Sequence, residues 1–162
     1  MTFSPPPAER RVAGLLPRSE FLAVVARAPL VSVDLIVRDG AGQVLLGLRG
    51  NAPARGTWFV PGGCIRKNET LDGAFARIAQ TELGIAATRA DAGFLGVYEH
   101  FYDDNAGDLP GFGTHYVVLA HQLTVGGALD PPLEQHSRFR WLAPAALLGD
   151  PGVHEYTKAY FR

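Results

Sequence analysis

The sequence predicts an α+β fold, an α/β/α sandwich in which a mixed β-sheet carries flanking helices. Short stretches of alternating, often β-branched residues recur along the chain, separated by turns rich in glycine and proline. Residues 70–83 instead hold helix formers with apolar side chains at helical spacing. The 162 residues suit one domain, and the 47% apolar fraction is enough for a core.

The first part of the chain is predicted to be an arm followed by a short helix. Residues 1–17 include a run of three prolines, a composition typical of a mobile arm. Ser19 is predicted to cap the helix that follows, and Pro29 to end it. Residues 18–162 are then expected to form a single folded domain.

The remaining elements follow from residue patterns along the chain. A turn at residues 39–42 joins the first two predicted strands into a hairpin. Gly84 stands where the C-cap glycine of the helix at residues 70–83 belongs. The predicted strands are residues 31–37, 43–48, 58–60, 94–102, 115–125 and 138–141, and further short helices are predicted at residues 144–148 and 154–161.

Composition narrows the class of partner. A net charge of −1 leaves no global basic field for nucleic acid, so a small anionic ligand needs local positive groups. No run approaches the roughly 20 apolar residues of a membrane span. The single cysteine, Cys64, excludes an intrachain disulfide and fits a reducing compartment. We therefore expect a cytoplasmic protein that binds neither nucleic acid nor membrane.

The stretch around the glycine pair Gly62-Gly63 carries the chemistry. It follows a predicted strand and precedes the main helix, and glycines there let an ion or ligand approach the backbone closely. The Gly62 carbonyl and the Glu82 carboxylate are hard oxygen ligands of the kind that Mg²⁺ prefers. Glu69 and Arg77 are predicted to pair and fix the intervening loop. The residues alone also allow a simpler interpretation, a strand, turn and helix with surface charges.

The spacing Gly63-x5-Glu69-x7-Arg77, followed by Glu82-Leu-Gly-Ile85, resembles a Nudix box. It is a reduced box, because Ile78 and Thr81 stand where further glutamates usually lie. Fewer carboxylates imply fewer bound metals, so the resemblance implies one Mg²⁺ per subunit, or Mn²⁺ in its place.

The chain also resembles the GDP-mannose mannosyl hydrolases of this family over residues 15–161. The similarity extends well outside the box. The segments that carry it are Pro29-Leu-Val-Ser-Val-Asp34, Leu45-Leu-Gly-Leu-Arg49, Trp58-Phe-Val-Pro-Gly-Gly63, His100-Phe-Tyr-Asp-Asp-Asn105, Thr114-His-Tyr-Val-Val-Leu119 and Glu134-Gln-His136.

This resemblance implies a set of site residues. Mg²⁺ is expected on the Gly62 carbonyl, Glu82 and Gln135, with the substrate diphosphate completing its shell. His136 is expected to be the general base, since an imidazole accepts a proton near neutral pH. Without the resemblance, Gln135 is an ordinary exposed residue, and His136 is one of five histidines with no special claim.

The implied substrate contacts come from several segments. Arg49 is expected to bind the diphosphate, and Tyr116 to donate to the leaving group. Asp34, a carboxylate in an apolar strand, needs a substrate or structural hydrogen bond, since its burial is otherwise costly. The remaining expected contacts are His100 near the sugar, and Leu15, Leu16 and Phe21 on the nucleotide base across a homodimer interface, although Phe21 is otherwise plain helix core.

Cys64 departs from the family pattern. An arginine that helps to bind the departing nucleotide usually stands at this position. We hypothesise that Arg66, two residues on, points to the same side of an extended backbone and takes over the phosphate contact. Cys64 itself is interpreted as a small filler and not as a nucleophile.

The implied reaction is the hydrolysis of a GDP-sugar, GDP-mannose or GDP-glucose, to GDP and free hexose. Water attacks the anomeric carbon, and a single displacement inverts it. One alternative is a Nudix pyrophosphohydrolase that attacks phosphorus and yields a nucleoside monophosphate and a sugar phosphate. Another is a non-catalytic module that binds nucleotide sugars. The sequence does not fix the preferred base or sugar.

Overall fold

The computed structural model describes residues 14–127, 129, 131–132 and 136–162, and in His136 the backbone alone. Residues 1–13 of the predicted arm therefore lie outside the described residues. The strands are β1 (Leu30–Arg38), β2 (Val44–Arg49), β3 (Trp58–Phe59), β4 (Gly62–Cys64), β5 (Gly93–Tyr102), β6 (Thr114–Thr124) and β7 (His136–Leu142). The helices are α1 (Arg18–Val25), α2 (Leu71–Leu83), α3 (Pro144–Gly149) and α4 (Glu155–Ala159), with a 3₁₀ turn at Arg89–Asp91.

The sheet is mixed, and its central hairpin opens along its length. The strand order is β3-β2-β1-β6-β5, with β1 and β6 parallel. β1 and β2 pair antiparallel at their turn, where Arg38 faces Val44. Farther along, β1 takes β4 as its partner and β2 takes β3 and β7. Because the two strands find different partners, a cleft forms between them.

Helices cover both faces of the sheet, which confirms the predicted sandwich. Successive side chains of β1 point to opposite faces. Val33, Leu35 and Val37 pack against α2, while Ile36 packs in the cluster that contains Leu147 of α3. Each half-buried helix thereby removes its apolar stripe from water, which is the main stabilising contribution.

The main helix, α2, forms as its sequence predicts. Thr70 is its N-cap, and its hydroxyl accepts a hydrogen bond from the Gly73 amide at 3.1 Å. Gly84 ends it with a left-handed φ of 71°, as a C-cap glycine does. The buried side of α2 includes Phe75 and Ile78. The prediction of a helix at residues 70–83 is confirmed.

Two local predictions are wrong. Ser19 does not cap α1, because Pro17 holds the N-cap position and Ser19 lies inside the helix. Pro29 does not set its end either, since the helix already stops at Val25.

The glycine pair after β3 is itself extended and does not form the predicted turn. Gly62 and Gly63 resume extended backbone as β4, paired to β1. A Cβ on Gly62 would lie 2.5 Å from Asp34 Oδ1, so only glycine permits this close pairing.

No helix among the described residues is long and apolar enough to cross a bilayer. The expected cytoplasmic location stays a prediction.

His121 on β6 predicts how stability depends on pH. Its ring packs between Phe75 and Phe94 at 5.4 and 5.2 Å, and its Nδ1 lies 3.1 Å from the Leu119 carbonyl. Burial lowers its pKa below the ordinary 6.5, so the native state binds this proton less readily than the unfolded chain. Acidification through the ordinary histidine pKa therefore favours unfolding.

We expect His121→Leu to lose less stability than the wild type between pH 7.5 and pH 5. Thermal melts at both pH values measure the two changes in Tm. All other titrating groups are shared, so their contribution cancels in the difference. An equal or larger fall in the variant contradicts the assignment of this histidine as a buried neutral group.

Candidate active site

A cleft of about 1210 Å³ lies where β1 and β2 diverge. Most of the predicted site residues line it, and they come from the arm end, α1, β1, β2, β4 and the loop after it, α2, β5 and β6. They are Leu15, Leu16, Phe21, Asp34, Arg49, Gly62, Arg66, Glu82, His100 and Tyr116. The fold therefore brings together residues that lie far apart in the sequence, which the predicted site requires.

The Gly62 carbonyl is directed away from β1. Leu35 donates to the Pro61 carbonyl at 2.8 Å, and Ile65 donates to the Val31 carbonyl at 2.9 Å. In an antiparallel pair, residues that bond to the partner alternate with residues that do not. Gly62 is one of those that do not, so its carbonyl faces away from the partner strand. The Glu82 carboxylate, buried in the last turn of α2, lines the same cleft.

These oxygens fit a single hard cation. A backbone carbonyl and a carboxylate are ligands that Mg²⁺ accepts, with phosphate oxygens and waters in its remaining positions. No group of three or more His, Cys, Asp or Glu side chains that could hold a metal occurs within the described part of the chain. Gln135, the third predicted ligand, lies outside the described residues.

The α2 face shows why the carboxylates are few. Ile78, at one position where the box usually has a glutamate, is buried in the core, and its Cγ1 lies 3.3 Å from where a Gly63 Cβ would be. Thr81, at the other, lines the cleft. Of these three helix positions, only Glu82 brings a carboxylate to the cleft.

The loop between β4 and α2 is fixed by the predicted ion pair, which is confirmed. Arg77 donates through Nε and a terminal nitrogen to the two Glu69 oxygens at 2.7 and 2.8 Å. It also donates to the Cys64 carbonyl at 2.8 Å, and Glu69 accepts from the Arg66 amide at 2.9 Å. The hydrogen bond from Arg77 lowers the pKa of Glu69. This paired arrangement holds β4 to the helix.

Arg49 is the last residue of β2, and it lines the cleft. Its Nε donates to the Pro53 carbonyl at 2.8 Å, and its guanidinium lies 5.9 Å from the centre of the Phe59 ring. The backbone of His136 is paired with Arg49 in the β2–β7 ladder. The His136 backbone therefore lies beside Arg49, a residue that lines the cleft.

Asp34, whose burial required a partner, has one in the last turn of the chain. The Tyr160 hydroxyl donates to Asp34 Oδ2 at 2.7 Å and lies 3.2 Å from His100 Nε2. All three side chains are buried. Burial raises the pKa of Asp34 to about 6, against the hydrogen bond and the nearby Arg49, which lower it. Burial, together with His154, lowers the pKa of His100 to about 4.

Aromatic rings surround this acid and histidine. His100 stacks on Tyr156 with ring centres 4.2 Å apart, and Tyr102 meets both Tyr116 and Tyr156 edge to face. Burial raises the pKa of Tyr116 and Tyr102, so both hydroxyls remain protonated hydrogen-bond donors at neutral pH. Around Asp34 and His100 the side chains therefore present flat apolar ring faces together with polar hydroxyl groups.

The sequence analysis missed Tyr102, Tyr156 and Tyr160. Tyr102 could have been found from its alternation with His100 on β5. The two tyrosines at the end of the chain carried no such signal, since only the packing of α4 brings them to β5.

The arm end and the residues after Gly63 line the cleft as well. Leu15 and Leu16 are exposed beside it, and Phe21 is half-buried. Cys64 and Arg66 both line the cleft. Burial raises the pKa of the Cys64 thiol to about 11, so it stays protonated near neutral pH, in agreement with a filler role.

Comparison with known families decides the assignment. The NUDIX domain model matches residues 28–161, most of the chain. The chain belongs to the Nudix family.

Relatives of this Nudix domain agree in sequence and fold. The low-salt glycan biosynthesis protein Agl8 of Haloferax volcanii is 44% identical over 149 residues, which cover 90% of this chain and 88% of that protein. The MutT Nudix hydrolase of Burkholderia pseudomallei superposes with a TM-score of 0.66 at 26% identity, covering 83% of this chain and 97% of that one.

A second similar structure shows the fold alone. The Nudix domain of Shewanella oneidensis NrtR, solved with ADP ribose, has a TM-score of 0.62 at 20% identity, covering 90% of this chain and 96% of that one.

Membership in the Nudix family makes the present chain a hydrolase that acts on nucleotide derivatives, and the family generally uses divalent metals such as Mg²⁺.

Proposed function

We propose that this Nudix hydrolase cleaves a GDP-sugar, GDP-mannose or GDP-glucose, to GDP and free hexose by attack of water on the anomeric carbon. The observation that carries the proposal is the carboxylate content of α2. Of the three box positions Ile78, Thr81 and Glu82, one bears a carboxylate. Attack at phosphorus by a metal-activated water relies on a larger carboxylate cluster, so the residues favour attack at carbon.

The lining of the cleft supports a substrate with a charged part and a sugar part. Arg49, Arg66 and Glu82 line it and are the charged partners that a diphosphate and its cation need. Asp34, His100, Tyr102 and Tyr116 line the same cleft. Polar groups placed among aromatic faces suit a hexose, whose hydroxyls require hydrogen bonds and whose C–H faces pack on rings.

The residues have the following proposed roles. His136 accepts a proton from water, whose oxygen forms the new bond to the anomeric carbon. The bond from that carbon to the diphosphate oxygen breaks, and its electron pair leaves with GDP. Arg49 donates to the diphosphate, and Tyr116, kept protonated by burial, donates to the departing oxygen.

The cation, held by the Gly62 carbonyl, Glu82 and Gln135, would supply positive charge that stabilises the departing diphosphate. Arg66 is proposed to replace the phosphate contact that the family arginine makes at the position of Cys64. Arg66 lines the cleft, and its side chain has the length and charge for this contact.

The named relative supports a sugar-linked role. A protein of glycan biosynthesis, 44% identical over nearly the whole chain, belongs to a process that uses activated sugars. We accordingly propose a nucleotide sugar over other nucleotide derivatives.

We also propose a homodimer in which Leu15, Leu16 and Phe21 help to bind the base of the partner's substrate. Leu15 is 85% exposed at the rim of the cleft, and β5 is an edge strand with exposed Phe94 and Val97. Such apolar surface favours association. Light scattering checks the proposal, and a monomer at every tested concentration contradicts it.

Hydrolysis in ¹⁸O-labelled water tests the site of attack. We expect the label in the free hexose, with GDP unlabelled, when the protein and Mg²⁺ act on GDP-mannose and GDP-glucose. Label in a phosphate, with GMP and a hexose phosphate as products, supports the pyrophosphohydrolase alternative. Tight binding without turnover at any Mg²⁺ concentration supports the binding-module alternative.

The role of His136 as general base is tested in the same assay. We expect His136→Ala to lower kcat by about 10²–10⁴-fold, the usual contribution of a general base. His115→Ala, a change of a half-buried histidine on β6, serves as the matched control. If His136→Ala keeps the wild-type kcat, His136 is not the general base.

A further inference from the structure

The last residues of the chain contact Asp34 and His100, two polar groups of the cleft that we propose to bind the sugar. The Tyr160 hydroxyl lies between Asp34 Oδ2 at 2.7 Å and His100 Nε2 at 3.2 Å. Asp34 and His100 line the cleft, whereas Tyr160 lies behind them in the core. One hydroxyl therefore joins β1 and β5 through two side chains that line the cleft.

The hydrogen bonds of Tyr160 determine the tautomer of the His100 ring. A tyrosine hydroxyl has a single proton, and Tyr160 uses it to donate the shorter hydrogen bond, to the Asp34 carboxylate. The second contact can then form only if His100 Nε2 carries a hydrogen and donates to the Tyr160 oxygen. In the neutral ring this leaves Nδ1 unprotonated, so His100 presents a hydrogen-bond acceptor at Nδ1.

Tyr160 is itself held from two directions. Its ring packs edge to face on Tyr98 with centres 4.7 Å apart. The helix before it is fastened to β5 by Tyr156, whose hydroxyl accepts from the Phe101 amide and donates to the Phe101 carbonyl, both at 2.8 Å. The hydroxyl between Asp34 and His100 therefore has little freedom to move.

We propose that Tyr160 is a positioning residue that fixes the Asp34 carboxylate and the Nε2–H tautomer of His100, and through them sets which sugar the cleft accepts. The specificity part rests on the proposed GDP-sugar hydrolysis. A site whose polar groups are fixed rejects a sugar that leaves one of them without a partner, whereas mobile groups adapt to either sugar.

The first test measures the tautomer and needs no substrate. Long-range ¹H–¹⁵N NMR of protein labelled at histidine nitrogen, at pH 7.5 and assigned with His100→Gln, is expected to show Nε2–H at His100 in the wild type. Tyr160→Phe keeps the ring and removes the hydroxyl, and we expect it to populate Nδ1–H. Tyr98→Phe, the same change on the neighbouring ring, is expected to keep the wild-type signal.

Either of two results overturns the positioning role. One is a wild-type His100 that is Nδ1–H or doubly protonated at this pH, which needs no variant and is decisive even if Tyr160→Phe does not fold. The other is a folded Tyr160→Phe protein with the wild-type tautomer.

The second test measures sugar discrimination. The ratio of kcat/KM for GDP-mannose and GDP-glucose is expected to move toward one by about tenfold in Tyr160→Phe, the scale of one hydrogen bond to a charged group, and to stay within twofold in Tyr98→Phe. The ratio is independent of the folded fraction, so lost stability alone leaves it unchanged. An unchanged ratio, or a wild-type ratio of one, overturns the specificity role.

The two tests separate the failures. If the wild type hydrolyses no GDP-sugar, the proposed function is wrong and the specificity role falls with it, while the tautomer measurement still decides whether Tyr160 positions His100.

Discussion

Glu82→Gln is expected to lower kcat/KM for the GDP-sugar by about 10²–10³-fold, the usual effect of removing one group that stabilises transition-state charge. The amide keeps the shape of the side chain and removes its negative charge. Glu82 is buried in the last turn of α2, at the negative end of the helix dipole, so losing its charge does not weaken the helix. The loss is therefore expected in activity and not in folding.

Two measurements define this result. Calorimetric titration of Mg²⁺ in the presence of GDP is expected to show weaker binding by Glu82→Gln, and thermal melts are expected to show an unchanged Tm. Asp72→Asn, in the exposed first turn of the same helix, is the matched control and is expected to keep the wild-type Mg²⁺ affinity and activity. Wild-type Mg²⁺ affinity and activity in Glu82→Gln would falsify the assignment of this carboxylate to the cation.

Asn105→Ala is expected to reduce the free energy of unfolding by roughly 2–4 kcal/mol, because four backbone groups of a partly buried loop lose their partners. Asn105 is fully buried in the loop between β5 and β6. Its Nδ2 donates to the Leu109 and Phe112 carbonyls, both at 2.8 Å, and its Oδ1 accepts from the Gly107 and Leu109 amides at 3.0 and 3.2 Å. The Asn105 side chain thus supplies the hydrogen bonds that backbone groups of a loop would otherwise receive from a helix or strand.

Denaturant unfolding measures the change, with the exposed Asn51→Ala as the matched control. Asn105→Asp adds a second comparison, since a carboxylate keeps the two bonds that Oδ1 accepts but cannot donate to the two carbonyls. It is expected to be destabilised as well. If Asn105→Ala unfolds at the same denaturant concentration as Asn51→Ala, the loop does not depend on this side chain.

Local patterns were sufficient for most elements. The Thr70 cap, the helical spacing of Phe75 and Ile78 and the Gly84 stop all act within a few residues, so the sequence predicted α2 almost to its ends. The pair Glu69–Arg77 was predictable for the same reason, because both residues belong to the loop and helix that they join. Alternation likewise located both ends of β1, β5 and β6 to within one residue.

Where a local rule was incomplete, a tertiary contact decided the outcome. The Gly62-Gly63 pair indicated a turn, yet the backbone continues as β4 because β1 offers it an unpaired side. Ser19 had the chemistry of a cap, but the helix begins earlier, after Pro17. The candidate site shows the same division. The glycine pair and the helix after it indicated Glu82, and the resemblance to a known family supplied Arg49 and Tyr116. The diverging hairpin brings all three to one cleft.

The sequence by itself determined the elements, the ion pair that fixes the loop and the shortage of carboxylates on α2, since these depend on residue type and short spacing. Only the tertiary structure decided what Asp34 contacts. Its partner, Tyr160, is 126 residues away and belongs to a turn that reaches β1 because α4 packs on the sheet. The sequence indicates that a buried carboxylate needs a hydrogen-bond donor, but the packing of the chain determines which residue donates.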